Sequence, residues 1–184
     1  MSNQFTSPQI YMFGRIVSGN GFSADELFVK YKFIYGEDFE VKKGNVSGET
    51  YQSKAYRDEE GIAVYFDQPL YLHLKCTGIS GWPKLFVEVW EVDEDEKTSL
   101  GGYGIASIPV KAGCSKFPIC CWRPTESLSF NFEEAFLGNV PEYKNKFAVE
   151  TTVSKFGVTS MSTGQIIVEI ECLFQNFSFF GINI

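Results

Sequence analysis

Apolar side chains recur at every second position along much of the chain, the spacing that places one set of residues on each face of a strand. From Leu27 onward, Leu27, Val29, Tyr31, Phe33 and Tyr35 share a face while Lys30 and Lys32 take the other. Leu70, Leu72, Leu74 and Cys76 lie opposite Tyr71, His73 and Lys75, and Leu85, Val87 and Val89 lie opposite Phe86, Glu88 and Trp90. Near the end, Ile166, Val168, Ile170, Cys172 and Phe174 alternate with Gln165, Ile167, Glu169, Glu171 and Leu173. These four runs predict strands packed on at least one face. Weaker alternation predicts further strands at Ile10 to Val17, Ile62 to Phe66, Tyr103 to Pro109, Ser115 to Cys121 and Lys146 to Val153. Helical spacing is confined to about Ser129 to Leu137, where Glu133 and Glu134 sit in a short helix that Gly138 stops. About eight short strands and one short helix suit an all-β class, an antiparallel sandwich whose two sheets share one core and whose loops gather at its ends.

Length and composition narrow this picture. The chain has 184 residues, the size of one domain; we expect a flexible N-terminus over residues 1–8 and a single domain over 9–182. The polar stretch Lys42 to Ser53 also reads as mobile. A formal charge of -7 has the wrong sign for gripping phosphates, so nucleic acid and anionic membrane are poor partners on electrostatic grounds. The N-terminus lacks the charged and apolar segments of a signal peptide, and Ser2 replaces the Gly that acylation requires. Five cysteines, an odd number without a C-x-x-C pair, fit reduced thiols. A soluble intracellular protein is therefore expected.

Candidate chemistry is sparse. His73 is the only histidine, and it falls on the Tyr71 and Lys75 side of its strand, away from the leucine face. A structural residue fits that position better than half of a Cys-His dyad. Cys120 and Cys121 would point to opposite faces of an extended segment, which does not suit zinc. The acidic run Glu91, Asp93, Glu94, Asp95 and Glu96 follows a strand end, where a calcium-binding sandwich would place carboxylates. Calcium needs six to eight oxygens from several segments, whereas the facing loop from Ser18 to Glu26 offers only Asp25 and Glu26. A solvated turn is the simpler reading. Gly19-Asn20-Gly21 and Gly101-Gly102-Tyr103-Gly104 lack the Lys-Ser/Thr ending of a phosphate loop and read as turns. No catalytic residue, metal site or cofactor is assigned.

Two corners stand out as surfaces instead. Trp82-Pro83 and Trp122-Arg123-Pro124 read first as rigid loop-to-strand corners, with Trp rings covering core edges and Pro fixing φ. Exposed Trp and Arg are also enriched at interface hot spots, which makes Trp82, Pro83, Trp122, Arg123 and Pro124 candidates for contact with a partner.

Several fragments, taken in order, resemble the B9 domain family of C2-like proteins: Gly21-Phe22-Ser23, Gly81-Trp82-Pro83, Gly102-Tyr103-Gly104 with Ile108-Pro109, and Trp122-Arg123-Pro124. The ending Asn176-Phe177-Ser178-Phe179-Phe180-Gly181 and the segment Tyr35-Gly36-Glu37-Asp38-Phe39 also resemble that family, though different members of it. The resemblance implies a C2-like fold and a non-enzymatic structural subunit. It implies a hetero-oligomer with other B9-domain proteins inside a larger complex with Meckel syndrome and tectonic-type proteins at the ciliary membrane. It implies a place in the cytoplasm at the ciliary base, at the basal body and transition zone, and a role in ciliogenesis and in gating protein entry to the cilium. The competing expectation is a C2-type lipid-binding module, with or without calcium.

Overall fold

The computed structural model describes residues 7–58, 61–124 and 160–181. Among the described residues the chain forms ten strands: β1 (Gln9–Asn20), β2 (Glu26–Ile34), β3 (Phe39–Gly44), β4 (Ser47–Glu49), β5 (Ser53–Asp58), β6 (Gly61–Cys76), β7 (Lys84–Val92), β8 (Thr98–Ser107), β9 (Gly113–Pro124) and β10 (Ser160–Gln175). A 3-10 turn, Phe177–Phe180, follows β10. All pairings are antiparallel. One sheet runs β3-β6-β1-β10-β9; the other runs β8-β7-β2, with β4 and β5 both along β2. The sheets are stitched together where β5 passes from β2 to β6 and where β8 meets β9 at Tyr103↔Trp122 and Gly104↔Cys121. This is the expected all-β sandwich.

The inner faces are the ones that the alternation marks. Leu27, Val29, Tyr31 and Phe33 of β2 and Leu85, Val87 and Val89 of β7 pack against Ile10, Met12 and Ile16 of β1, Leu70, Leu72 and Leu74 of β6, and Ile166, Val168 and Ile170 of β10. Each such aliphatic side chain contributes about 1.5–3 kcal/mol through its removal from water, so this core dominates the stability. On β7 and the adjoining β8 the outer face is buried as well, at Phe86, Glu88 and Tyr103.

Two departures from the expectation have local causes. The segments Ile62 to Phe66 and Leu70 to Cys76 form one strand, β6, because Asp67, at φ 46, lies where the β1–β6 register shifts between Ile16 and Ser18. That bulge absorbs the break that Asp67 and Pro69 suggest. The polar stretch Lys42 to Ser53, read as mobile, instead contains the end of β3, the whole of β4 and the start of β5. Its strands are mostly exposed and so lack an apolar alternation. The helix expected around Ser129 to Leu137 and the strand at Lys146 to Val153 lie outside the described residues.

At one end of the sandwich the β2–β3 and β6–β7 loops cross at two glycines. The amide of Gly36 donates to Gly81 O at 2.8 Å. A Cβ on Gly81 would lie 2.5 Å from the Gly36 Cα, and Gly81 has φ +71. Both the space and the backbone conformation therefore call for glycine here.

Candidate functional site

The crossing loops position the first predicted corner. Trp82 lies half-buried at the start of β7, and its indole N–H donates to Ile108 O at 2.8 Å. Its ring meets Phe39 edge-on at 5.9 Å and stacks on Phe174 at 6.1 Å, and Phe174 in turn packs on Phe177 at 5.3 Å. Pro83 is buried, and its carbonyl accepts from the Ile108 amide at 3.0 Å. This corner therefore clamps the β8–β9 loop and the 3-10 turn onto the main core.

The second corner belongs to a different cluster. Trp122 lies across from Tyr103, ring centroids 6.0 Å apart, and Tyr103 stacks on Phe86 at 6.1 Å. Phe86, Leu100 and Tyr103 form a small buried group on the outer face of the β8-β7-β2 sheet, flanked by Ile34, Trp90, Ile105 and Trp122. Arg123 is partly exposed, Pro124 is buried, and Arg123 pairs with Met161 of β10. The Trp82 and Trp122 corners thus anchor separate clusters and do not form one surface. On the same outer face the Lys30 ammonium lies 5.1 Å from the Trp90 ring and 5.7 Å from Phe28, a cation–π arrangement. The Trp90 Nε1 and the Thr163 Oγ1 are buried without a hydrogen-bond partner among the described residues.

Sequence reasoning missed a third surface, the outer face of the β3-β6-β1-β10-β9 sheet. Register places Tyr11 between His73 and Leu173, and Phe13 between Tyr71 and Glu171. The rings pair closely, Tyr11 on His73 at 4.1 Å and Phe13 on Tyr71 at 5.1 Å. Phe13 is 41% exposed and Leu173 47%. The Arg15 guanidinium lies beside them, 2.9 Å from Asp67 and 3.1 Å from Glu169, and holds the Glu169 carboxyl below its ordinary range. The signal was present in Ile10-Tyr11-Met12-Phe13, which is apolar on both faces at once.

His73 sits within this face, its Nε2 2.7 Å from Gln9 Oε1. The thiols of Cys76 and Cys121 are pushed up to about 12 and that of Cys172 to about 11, all chiefly by burial, so they stay protonated and poorly nucleophilic. Cys120 and Cys121 do point to opposite faces, one exposed and one buried.

The acidic end opens a cleft of about 520 Å³ lined by residues that include Asp25, Glu26, Asp93, Glu94 and Glu96. Asp93 and Glu26 of this lining, and Glu91 beside it, are engaged locally. Asp93 Oδ1 accepts from the amides of Asp95 at 2.9 Å and Lys97 at 2.8 Å, closing its own turn. Glu26 accepts from Gln52 at 2.8 Å and pairs with Lys54 at 3.3 Å. Glu91, largely buried, accepts from the Ser23 amide and hydroxyl at 3.0 and 2.9 Å and so pins the β1–β2 loop. Among the described residues, no three His, Cys, Asp or Glu side chains converge as a metal site. No described helix is long and apolar enough to cross a membrane.

Comparison with known proteins bears on the whole chain. The B9-C2 family, described as "Ciliary basal body-associated, B9 protein", matches residues 10–173. B9 domain-containing protein 2 of Homo sapiens is 26% identical over 174 residues, which cover 95% of this chain and 98% of that protein. The Drosophila melanogaster protein of the same name is 26% identical over 175 residues, covering 95% and 97%. B9 domain-containing protein 1 of Mus musculus is 27% identical over 141 residues, covering 74% of this chain and 69% of that protein. Among solved structures, a C2 domain of plant Extended Synaptotagmin 1 superposes with a TM-score of 0.43 at 12% identity, covering 94% and 96% of the two chains. With the family's pattern running through nearly every strand described above, this chain belongs to the B9 domain family and has its C2-like β-sandwich.

Proposed function

We propose that this protein is a non-catalytic structural subunit of a transition-zone complex at the ciliary base, where it binds other B9-domain proteins. The observation that carries this reading is the family match across residues 10–173, to a family described by its association with the ciliary basal body. The similarity to B9 domain-containing protein 2 over 95% of the chain supports the same reading. In this role the sandwich is a rigid block whose surfaces bind neighbours. The assembly it joins, with Meckel syndrome and tectonic-type proteins, supports ciliogenesis and gates the entry of proteins into the cilium.

The test is to tag the protein in ciliated cells, image it and purify it through a salt wash, with mass spectrometry of what stays bound. Signal at the ciliary base together with recovery of other B9-domain proteins is the expected result. A diffuse signal with none recovered overturns the reading.

A further inference from the structure

We infer that the depression at the β1 bulge, on the outer face of the β3-β6-β1-β10-β9 sheet, is a binding site for a carboxylate carried on a compact apolar body. The inference goes beyond the role proposed above and does not depend on it. The register of β1 with both of its neighbours shifts between Ile16 and Ser18. Strict alternation would send consecutive residues to opposite faces, but the bulge puts Val17 and Ser18 together on the lining of one cavity of about 280 Å³. Ser18 pairs with Tyr65 of β6 and with Ile167 of β10, so a small residue between two large ones forms the floor. Asn20 of β1 and Lys116 of β9 complete the polar part of the lining. The volume lies at the lower edge of the range for small-molecule sites, about 300 Å³ and upward, and so suits a body no larger than a phenyl or leucyl group.

The lining chooses the ligand. Its one charged side chain is Lys116, and it holds no carboxylate, although the chain carries 23 Asp and Glu residues. Lys116 pairs in register with Glu169, but Arg15 holds that carboxylate at 3.1 Å, and Lys116 forms no ion pair among the described residues. Its ammonium is left to an outside anion, with which it makes a charge-assisted hydrogen bond. Ser18 is only 6% exposed, and its hydroxyl makes no hydrogen bond with another described residue. A buried hydroxyl without a partner is costly, and a ligand oxygen removes that cost. The Asn20 amide offers a further donor, while Val17, Tyr65 and Ile167 supply apolar walls for the body of the ligand.

The formal charge of -7 opposes a polyanion, whereas a single carboxylate meets a single local ammonium. Two sources present such a group, a small organic acid and the C-terminal residue of a peptide, and the chemistry of recognition is the same for both.

Amide NMR titration of the full chain at pH 7 tests the proposal with 3-phenylpropanoate, 3-phenylpropanamide, and a short peptide ending in leucine with its terminus free or amidated. The expected result is saturable shifts at Val17, Ser18, Asn20, Tyr65 and Ile167. The acid should bind with a Kd on the order of 1 mM, as befits so small a ligand, and each amide about fivefold more weakly than its acid. Lys116→Gln, an exposed substitution, should bring both acids down to the level of the amides and leave the amides unchanged. Ser18→Ala should weaken the acids about twofold to threefold. Whichever of the free-terminus peptide and the small acid binds more tightly identifies the source, and either result supports the proposal. Absence of saturable shifts up to about 20 mM overturns it, as do shifts centred away from the bulge, equal binding of acid and amide, or undiminished acid binding in Lys116→Gln.

Discussion

Replacing Trp82 separates a structural corner from a partner contact. Trp82→Phe keeps a ring against Phe39 and Phe174 but removes the indole donor to Ile108 O. Loss of one such hydrogen bond, with the carbonyl left short of a partner, costs about 1 kcal/mol. Trp82→Ala removes the ring as well. A fully buried Trp truncated to Ala costs about 3–5 kcal/mol, and the half-exposed ring lowers that, with the lost donor included, to about 3 kcal/mol. Urea unfolding followed by far-ultraviolet circular dichroism reads both. With a denaturant slope of about 2 kcal/mol/M, the midpoints should fall by about 0.5 M for Trp82→Phe and about 1.5 M for Trp82→Ala. A Trp82→Ala midpoint equal to wild type, with loss of binding to another B9-domain protein, would refute the structural assignment and make this corner an interface.

Gly81→Ala should destabilise by about 2–3 kcal/mol, since the new Cβ meets the Gly36 Cα at a left-handed backbone position; a melt within about 2 °C of wild type sinks the argument. In the folded protein, Cys114 and Cys120 should react with a thiol reagent, whereas Cys76, Cys121 and Cys172 should react only after denaturation; mass spectrometry of the modified peptides checks the assignment. Arg15→Ala should raise the Glu169 carboxyl midpoint toward its ordinary value, as measured by NMR titration. Because the folded value is depressed, the stability from this pair is present above the ordinary carboxylate pKa and is lost as the pH falls through the depressed one; an unchanged midpoint in the variant would show that Arg15 is not the cause.

The sandwich is legible in the sequence because its inner faces alternate without interruption: Leu27 to Phe33, Leu70 to Leu74 and Ile166 to Cys172 are all buried as spaced. What the spacing does not reveal is carried by relations between strands. The polar sequence of β4, Ser47-Gly48-Glu49, has no alternation, and it is a strand only because β2 offers it Lys30, Tyr31 and Lys32 as partners. The continuity of β6 through Asp67 and Pro69 depends on a bulge shared with β1, which a breaker rule read along one strand does not see. The aromatic face needs β1, β6 and β10 side by side, since Tyr11, His73 and Leu173 are far apart in the sequence. Trp82 lies just before β7, as its Pro neighbour suggests, whereas Trp122, Arg123 and Pro124 are the last residues of β9 itself, and spacing alone does not show that the two rings pack in separate clusters.

The last strand described, β10, occupies an interior position in its sheet, between β1, the first strand, and β9. Gln9 pairs with Gln175, so the earliest and latest strands of the sandwich meet in one ladder. A nascent chain on the ribosome therefore holds β1 and β9 with no strand between them until β10 has been made. Folding must await synthesis of the whole sandwich and then close its longest loops, the slow regime for β topologies. A premature stop shortly before residue 160 would remove little mass, yet it would leave two apolar strand edges open in the middle of the sheet. Late truncations of this chain should therefore be as damaging to its cellular abundance as early ones, with aggregation or degradation as the fate of the product.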